Sequence, residues 1–304
     1  MNVPEHLIYP LEEFADEYVR LVRVGEAALA SASVAFVGLA RNCAPHLEAN
    51  LRRLEKLAEG CREWRLHIET NDNTDDTDQV LIEFCRRYPQ ATFLSQRLDR
   101  KQYTTEFAGR RTIALAEYRT ACQKWVREHA SDADFVVVVD WDAWGGWSHS
   151  GFMHGLGCLI ERPGAYGMAS VSLIEHPQMS MGEDKQPKIV RGFCHYDAWC
   201  LRGIGQASCY FDVYTAGMGG FAHQWIPPVG SPPVLVSSAF GGMAIYDTEA
   251  YLQAEYDGAT DCEHVSAHRT MAEATGRHLY VCPSMRTVMH WMPEATDGGQ
   301  HSDD

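Results

Sequence analysis

Apolar positions along this chain follow two periods in turn. "LEEFADEYVRLVRVGEAAL" places its apolar residues at helical spacing, which predicts a helix within the first ~30 residues. "SVAFVGLA", Ser33 to Ala40, is continuously apolar or small with β-branched members, as in a strand buried on both faces. "APHLEANLRRLEKLAEGC" returns to the helical period, with leucines at 47, 51, 54 and 57. "EWRLHIET" predicts a second strand, "DDTDQVLIEFCRRY" a helix opened by Thr74, Asp75 or Asp76, and "ATFLSQ" a third strand. A long helix in "EFAGRRTIALAEYRTACQKWVREHA" precedes a fourth strand, "DFVVVVD".

Apolar strands alternating with helices predict a mostly parallel α/β sheet covered on both faces. Ligands of such sheets gather at the carboxyl ends of the strands. Those ends are polar here: Ala40 to Asn42, Glu69 to Asp72, Ser95 to Asp99 and Asp140 to Asp142. This first half has the pattern of a nucleotide-binding sheet. Past Gly145 the alternation fades into a stretch dense in Gly, Pro, Trp, Tyr and Cys, with strand-like pieces in "AYGMASVSLI" and "YDAWCLR". "GSPPVLVSSAFGGMAIYDTEAY" predicts a strand, a glycine-bearing turn, a strand and a helix start; "HVSAHRTMAEATG" is helical and "HLYVCPS" a last strand. The expected organisation is one domain over 1–304: an amino-terminal helix in 1–30, a ligand-binding half over 33–145, a mixed-sheet half over 146–292 and a frayed tail over 293–304.

Composition changes this picture little: 45% apolar and 22% charged residues suit a globular chain of 304 residues. A formal charge of −15 argues against a broad footprint on nucleic acid or anionic membrane. No run approaches the ~20 apolar residues of a membrane span. The acidic amino terminus lacks the basic-then-apolar order of a secretory signal. Ten scattered cysteines without a CxxC pair then read as reduced thiols of a cytoplasmic protein, with no structural zinc expected.

The chemistry concentrates in "FVVVVDWDAWGG". A strand aims alternate side chains to one face, so Asp140 and Asp142 converge just past its end. Two carboxylates, completed by waters and phosphate oxygens, suit Mg²⁺ or Mn²⁺. Trp141 packs in the core or faces the ligand, whereas Trp144 and Trp147 offer flat faces to a second substrate. His264 and His268, four apart on a helix, are a core or surface pair before they are a metal pair.

The order "VGLARN", "IETNDNTDDT", "RTIALAEYR", "VVVVDWD", "FGGMAIY", "CEHVSAHRTM" and "LYVCPSM" resembles a GT-A glycosyltransferase over residues 33 to 292, most similar to capsule-associated fungal mannosyltransferases and related bacterial and viral enzymes. The resemblance implies a Rossmann-like, mostly parallel sheet fused to a smaller mixed acceptor region. It implies transfer of a sugar from a UDP- or GDP-linked donor to an acceptor hydroxyl, of a glycan or of a modified nucleobase. By it, Asp140 and Asp142 are the metal-binding DxD, with His290 completing the shell. Ala40, Arg41 and Asn42 form the base wall, and Glu69, Asn71 and Asp72 contact base or ribose. Arg111, with Arg110 beside it, lies near the sugar or diphosphate, and Trp141, Gly241 and Gly242 approach the donor. Glu263 is the candidate base; Asp261 competes, because His264 stands where relatives carry a second acid. Tyr196, Asp197 and Arg202 belong to a segment shared with the same relatives, in which Asp197 either orients a sugar hydroxyl or supports the loop. The rival readings are a non-catalytic nucleotide or sugar-binding module and a Mg²⁺-dependent nucleotidyltransferase; "GLARNCAPHLE" lacks the glycine-rich loop of the latter.

Overall fold

A computed structural model describes residues 3–101, 103, 109–181, 185–206 and 225–290. Two short 3-10 turns lead into α1 (Ala15–Ser31). The alternation expected from the apolar pattern follows: β1 (Ser33–Ala40), α2 (Ala44–Ala58), β2 (Glu63–Asn71), α3 (Thr77–Arg87), β3 (Ala91–Gln96), α4 (Arg110–His129) and β4 (Phe135–Asp140). The second half comprises β5 (Gly146–Trp147), α5 (His149–Ile160), β6 (Ala165–Met181), β7 (Pro187–His195), β8 (Val234–Val236), β9 (Met243–Asp247), α6 (Thr248–Tyr251), α7 (Glu263–Thr275) and β10 (His278–His290).

Among the described residues the strands form one sheet in the order β3-β2-β1-β4-β9-β6-β10-β5, with β7 beside β6 and β8 beside β10. β3, β2, β1 and β4 run parallel, so their carboxyl ends share one edge. β9 is antiparallel to both β4 and β6, and β6 is parallel to β10. The fold is thus mixed α/β, a parallel half joined to a mixed half through β9.

Burial explains the rigid centre. Val136 to Val139 are 0–1% exposed, and each contributes roughly 1.5–3 kcal/mol by leaving water. One apolar cluster lies under α2, α3 and α5, and the other under α4, α6 and α7.

Two expectations fail in the mixed half. The stretch past Gly145, where strand-like pieces are expected and no helix, contains α5 at His149–Ile160, which Ser148 caps by accepting the Gly151 N–H at 3.0 Å. Its residues from Gly151 to Leu159 are all buried, so it shows no polar face to betray a helix. "YDAWCLR" is not a strand: Ala198 to Cys200 turn, and only Arg202 makes a bridge, to Ser238. No helix among the described residues is long and apolar enough to cross a membrane.

Candidate active site

β4 delivers Asp140 to the shared edge, where both neighbours hold it. Its N–H donates to the Gly242 carbonyl at 2.9 Å, and the Trp141 N–H donates to Leu39 at 3.1 Å. Asn50 of α2, wholly buried, donates to the carbonyls of Trp141 and Ala143, each at 2.8 Å. This clamp fixes the turn that presents Asp142. The Asp142 side chain reaches solvent, yet surrounding protein crowds it. That desolvation, with the like charge of Asp140, pushes Asp142 up to about 6, against the opposing fields of Arg119 and Arg111.

Arg119 is the residue that motif reading missed. It lies on the buried face of α4, only 3% exposed. Its Nη2 is 2.6 Å from Oδ1 of Asp140, its Nε is 3.9 Å from Oε1 of Glu263, and its guanidinium lies 4.9 Å from the centre of the Phe240 ring. One cation thus connects a strand end to a helix start. The signal was its spacing: Arg119, Cys122 and Val126 fall three and four apart on an apolar face, where a charge needs a partner.

Glu263 opens α7 and is buried. Burial pushes its carboxyl above the usual range, while Arg119 pulls it down. His264, 3.7 Å from Glu263, stacks on Phe240 with centroids 4.0 Å apart. Burial, Arg119 and His268 together hold His264 well below the ordinary histidine value. His268 meets Ser238 Oγ at 3.0 Å and Tyr246 OH at 2.8 Å, so this pair belongs to the core. Asp261 accepts from Arg202 Nη2 at 2.6 Å and from the Cys262 N–H at 2.7 Å, which commits it to the approach to α7.

The glycine turn before β9 is backbone-critical. Gly241 and Gly242 have φ of 67° and 82°, in the left-handed region. A Cβ on Gly241 would lie 2.2 Å from the Ser170 carbonyl oxygen. Asp197 accepts the Gly241 N–H at 2.8 Å, and its own N–H donates to Ser172 Oγ at 3.1 Å. Of its two expected roles, the loop-supporting one is thus visible. Desolvation pushes Asp197 up to about 7, the Gly241 N–H acts against this, and Asp140 adds to it.

At the ends of β1 and β2 the expected base-wall residues come together, but their polar atoms largely serve neighbouring loop and strand residues. Ala40 ends β1, buried. Asn42, with φ of 50°, donates its N–H to Asn73 Oδ1 at 2.9 Å, while its Oδ1 accepts from Thr74 at 2.7 Å. Asp72 accepts the N–H groups of Leu98, Asp99 and Arg100 at 2.8, 2.8 and 3.0 Å. Against desolvation, these bonds and one from Asn71 hold Asp72 down at about 2. Arg41 donates to the carbonyls of Arg100 and Lys101 at 2.5 and 3.3 Å, and Glu69 pairs with His67 Nε2 at 3.0 Å.

The tryptophans need correction. Trp141 is 0% exposed and Trp147 is 7% exposed, and both rings lie in the core at 6.0 Å between centroids, so neither offers a face to ligand. Trp144 is exposed and stacks on His46 at 4.7 Å. Arg111 lies over Trp199 at 5.5 Å, and its field reaches Asp142 and Glu263. Arg110 is exposed at the first position of α4. His290 is the last described residue of β10, and its side chain lies outside the described part.

No family model and no curated protein matches this chain. Similar solved structures include a mannosyltransferase from Pyrobaculum calidifontis in complex with GDP-Man and Mn²⁺, with 11% identity over 93% of this chain and 68% of that one, at a TM-score of 0.47. Glucosyl-3-phosphoglycerate synthase from Mycobacterium tuberculosis, in complex with phosphoglyceric acid, has 15% identity over 91% and 78%, at 0.49. S. aureus TarS 1-349 has 12% identity over 84% of this chain and 60% of its own, at 0.42. At these scores the likeness bears on neither residue roles nor substrates.

Proposed function

We propose that this chain is a metal-dependent glycosyltransferase that moves a hexosyl group from a UDP- or GDP-linked donor to an acceptor hydroxyl. The observation that carries this reading is the convergence of Asp140, Asp142, Arg119 and Glu263 beside a left-handed glycine turn at the carboxyl edge of the parallel strands. The motif resemblance to capsule-associated mannosyltransferases agrees with a hexose donor. A glycan is the acceptor that suits the acidic chain better than DNA carrying a modified base.

Asp140 and Asp142 fit a divalent cation. Their oxygens are hard donors, and Asp142, raised first by desolvation, is raised further by the like charge of Asp140, the part that a dication would offset. Mn²⁺ or Mg²⁺ held there, with His290 as a third ligand, supplies neutralisation of charge on a departing diphosphate. Arg119 holds Asp140 by one oxygen and leaves the other for the ion. The nucleoside lies over the ends of β1 and β2, against Ala40, Arg41, Asn42, Glu69, Asn71 and Asp72, several of which are held by bonds to the neighbouring residues 73–74 and 98–101. Arg111 faces the diphosphate. Gly241 and Gly242 form the tight turn that borders the sugar, packed against Ser170 and Met289, and Asp197 keeps the turn in place.

Glu263 receives the proton of the acceptor hydroxyl. Burial raises its basicity, as a general base requires, and Arg119 ties its position to Asp140. Asp261, bound to Arg202, positions the start of α7 instead.

Donor hydrolysis tests this reading. UDP- and GDP-hexoses incubated with the full chain should release free sugar with Mn²⁺ and stop when EDTA is added. Hydrolysis of neither donor, with or without metal, would refute it.

A further inference from the structure

Away from that site, three soft donor atoms meet in the core. α5 carries His154 and Cys158 four residues apart, hence on one face, and β10 brings Cys282 to them from 128 positions beyond His154. Nδ1 of His154 is 3.5 Å from Sγ of Cys158 and 3.4 Å from Sγ of Cys282. All three donor atoms lie within 4.8 Å of one another. The residues are 0%, 4% and 0% exposed. The pairing of β10 with β6 shifts register between Val281 and Arg286, the irregularity that contains Cys282 and Met285. A Cβ at Gly155 would sit 2.2 Å from the Met285 sulfur and 3.7 Å from the Cys282 sulfur, so a glycine on α5 leaves these atoms their room. The His154 ring stacks on Tyr18 at 4.9 Å, and its Nε2 is buried with no hydrogen-bond partner.

We propose that His154, Cys158 and Cys282 form a three-ligand site for a divalent cation of the zinc class, fastening α5 to β10, with a water completing its tetrahedron. Zn–S bonds of about 2.3 Å and a Zn–N bond of about 2.0 Å, at a tetrahedral angle, separate sulfur from nitrogen by roughly 3.5 Å. The two separations here nearly match that span before any ion enters. Charge decides the class. Two thiolates and a neutral imidazole around a dication sum to zero, the only total cheap to bury. A monovalent copper ion would leave a net negative charge in the same space, and Mg²⁺ or Mn²⁺ prefers oxygen. Binding releases the two thiol protons to solvent and changes no oxidation state. The absence of a CxxC pair hid the site, because its ligands come from one helical face and a distant strand.

The full chain, purified without chelator, should contain one zinc per molecule by elemental analysis and by native mass spectrometry. Replacing zinc with Co²⁺ should give the near-ultraviolet charge-transfer absorption that only thiolate ligation produces. That absorption should disappear in Cys158→Ser and Cys282→Ser and persist in Asp142→Asn, which separates this site from the carboxylate site. Wild-type protein that carries no zinc and develops no such absorption with Co²⁺ would overturn the proposal, and this measurement needs no variant to fold. A wild-type mass two daltons low under non-reducing conditions, with Cys158 and Cys282 in one cross-linked peptide, would also overturn it.

Discussion

Arg119 and Asp140 form a 2.6 Å ion pair in which the arginine is almost completely buried and the carboxylate keeps one face toward solvent. The pair joins α4 to the tip of β4. Removing one member strands the other. Arg119→Met should therefore destabilise the chain by about 3–5 kcal/mol and abolish donor turnover. Arg119→Lys should recover part of the stability but little activity, since a point charge does not reproduce the guanidinium fork. Urea unfolding and donor hydrolysis on both variants check this; a methionine variant with native turnover would dismiss the role assigned to Arg119.

The two glycines before β9 should respond unequally. Gly241→Ala drives a methyl into the Ser170 carbonyl at 2.2 Å, whereas Gly242→Ala meets the flexible end of Met289 at 2.8 Å. Both sit at positive φ, so each costs more than about 1 kcal/mol. Gly241→Ala should cost clearly more, with the larger loss of turnover. Melting temperatures rank the pair directly.

Parts of this arrangement were legible in the sequence, for a physical reason. Ser33–Ala40 and Phe135–Asp140 are continuous apolar runs because parallel strands are covered on both faces, and their ends follow from the first polar residues. The mixed half lacks that regularity. α5 is buried on every side and rich in glycine, so its sequence resembles a loop. Arg119 has no motif of its own, and its meaning depends on Asp140 and Glu263, 21 and 144 positions away. Trp141 reads as a possible ligand neighbour from its place between two aspartates, but the turn after β4, fixed by Leu39 and Asn50, puts its ring in the core.

Asn50 should matter beyond its distance from any reactant. Asn50→Ala leaves the carbonyls of Trp141 and Ala143 without their donor, at a cost of about 1–3 kcal/mol. The loop bearing Asp142 should loosen and Mn²⁺ affinity fall. Asn50→Asp, which loses the donors and adds a charge, should be worse. Calorimetric titration with Mn²⁺ on the folded variants reads this out.

Acid should weaken the fold through His268. Burial depresses it to about 3, below the ~6.5 of an exposed histidine, so the unfolded chain binds its proton first as pH falls. Its contribution is complete above about pH 6.5 and drains toward pH 3, by up to about 1.4 kcal/mol per unit. Asp197, raised to about 7, acts in the opposite sense over part of this range. The comparison is therefore between variants: the urea midpoint of His268→Gln should fall less steeply than wild type between pH 6.5 and 4.5.

The central claim is that Asp140 and Asp142 hold a dication that engages a nucleoside diphosphate. Calorimetric titration of UDP and GDP, with and without Mn²⁺, into wild-type and Asp142→Asn protein tests it most directly. One of the two nucleotides should bind wild type only when Mn²⁺ is present, and Asp142→Asn, still folded, should lose that binding. Binding that is indifferent to Mn²⁺, or unchanged in Asp142→Asn, would contradict the account.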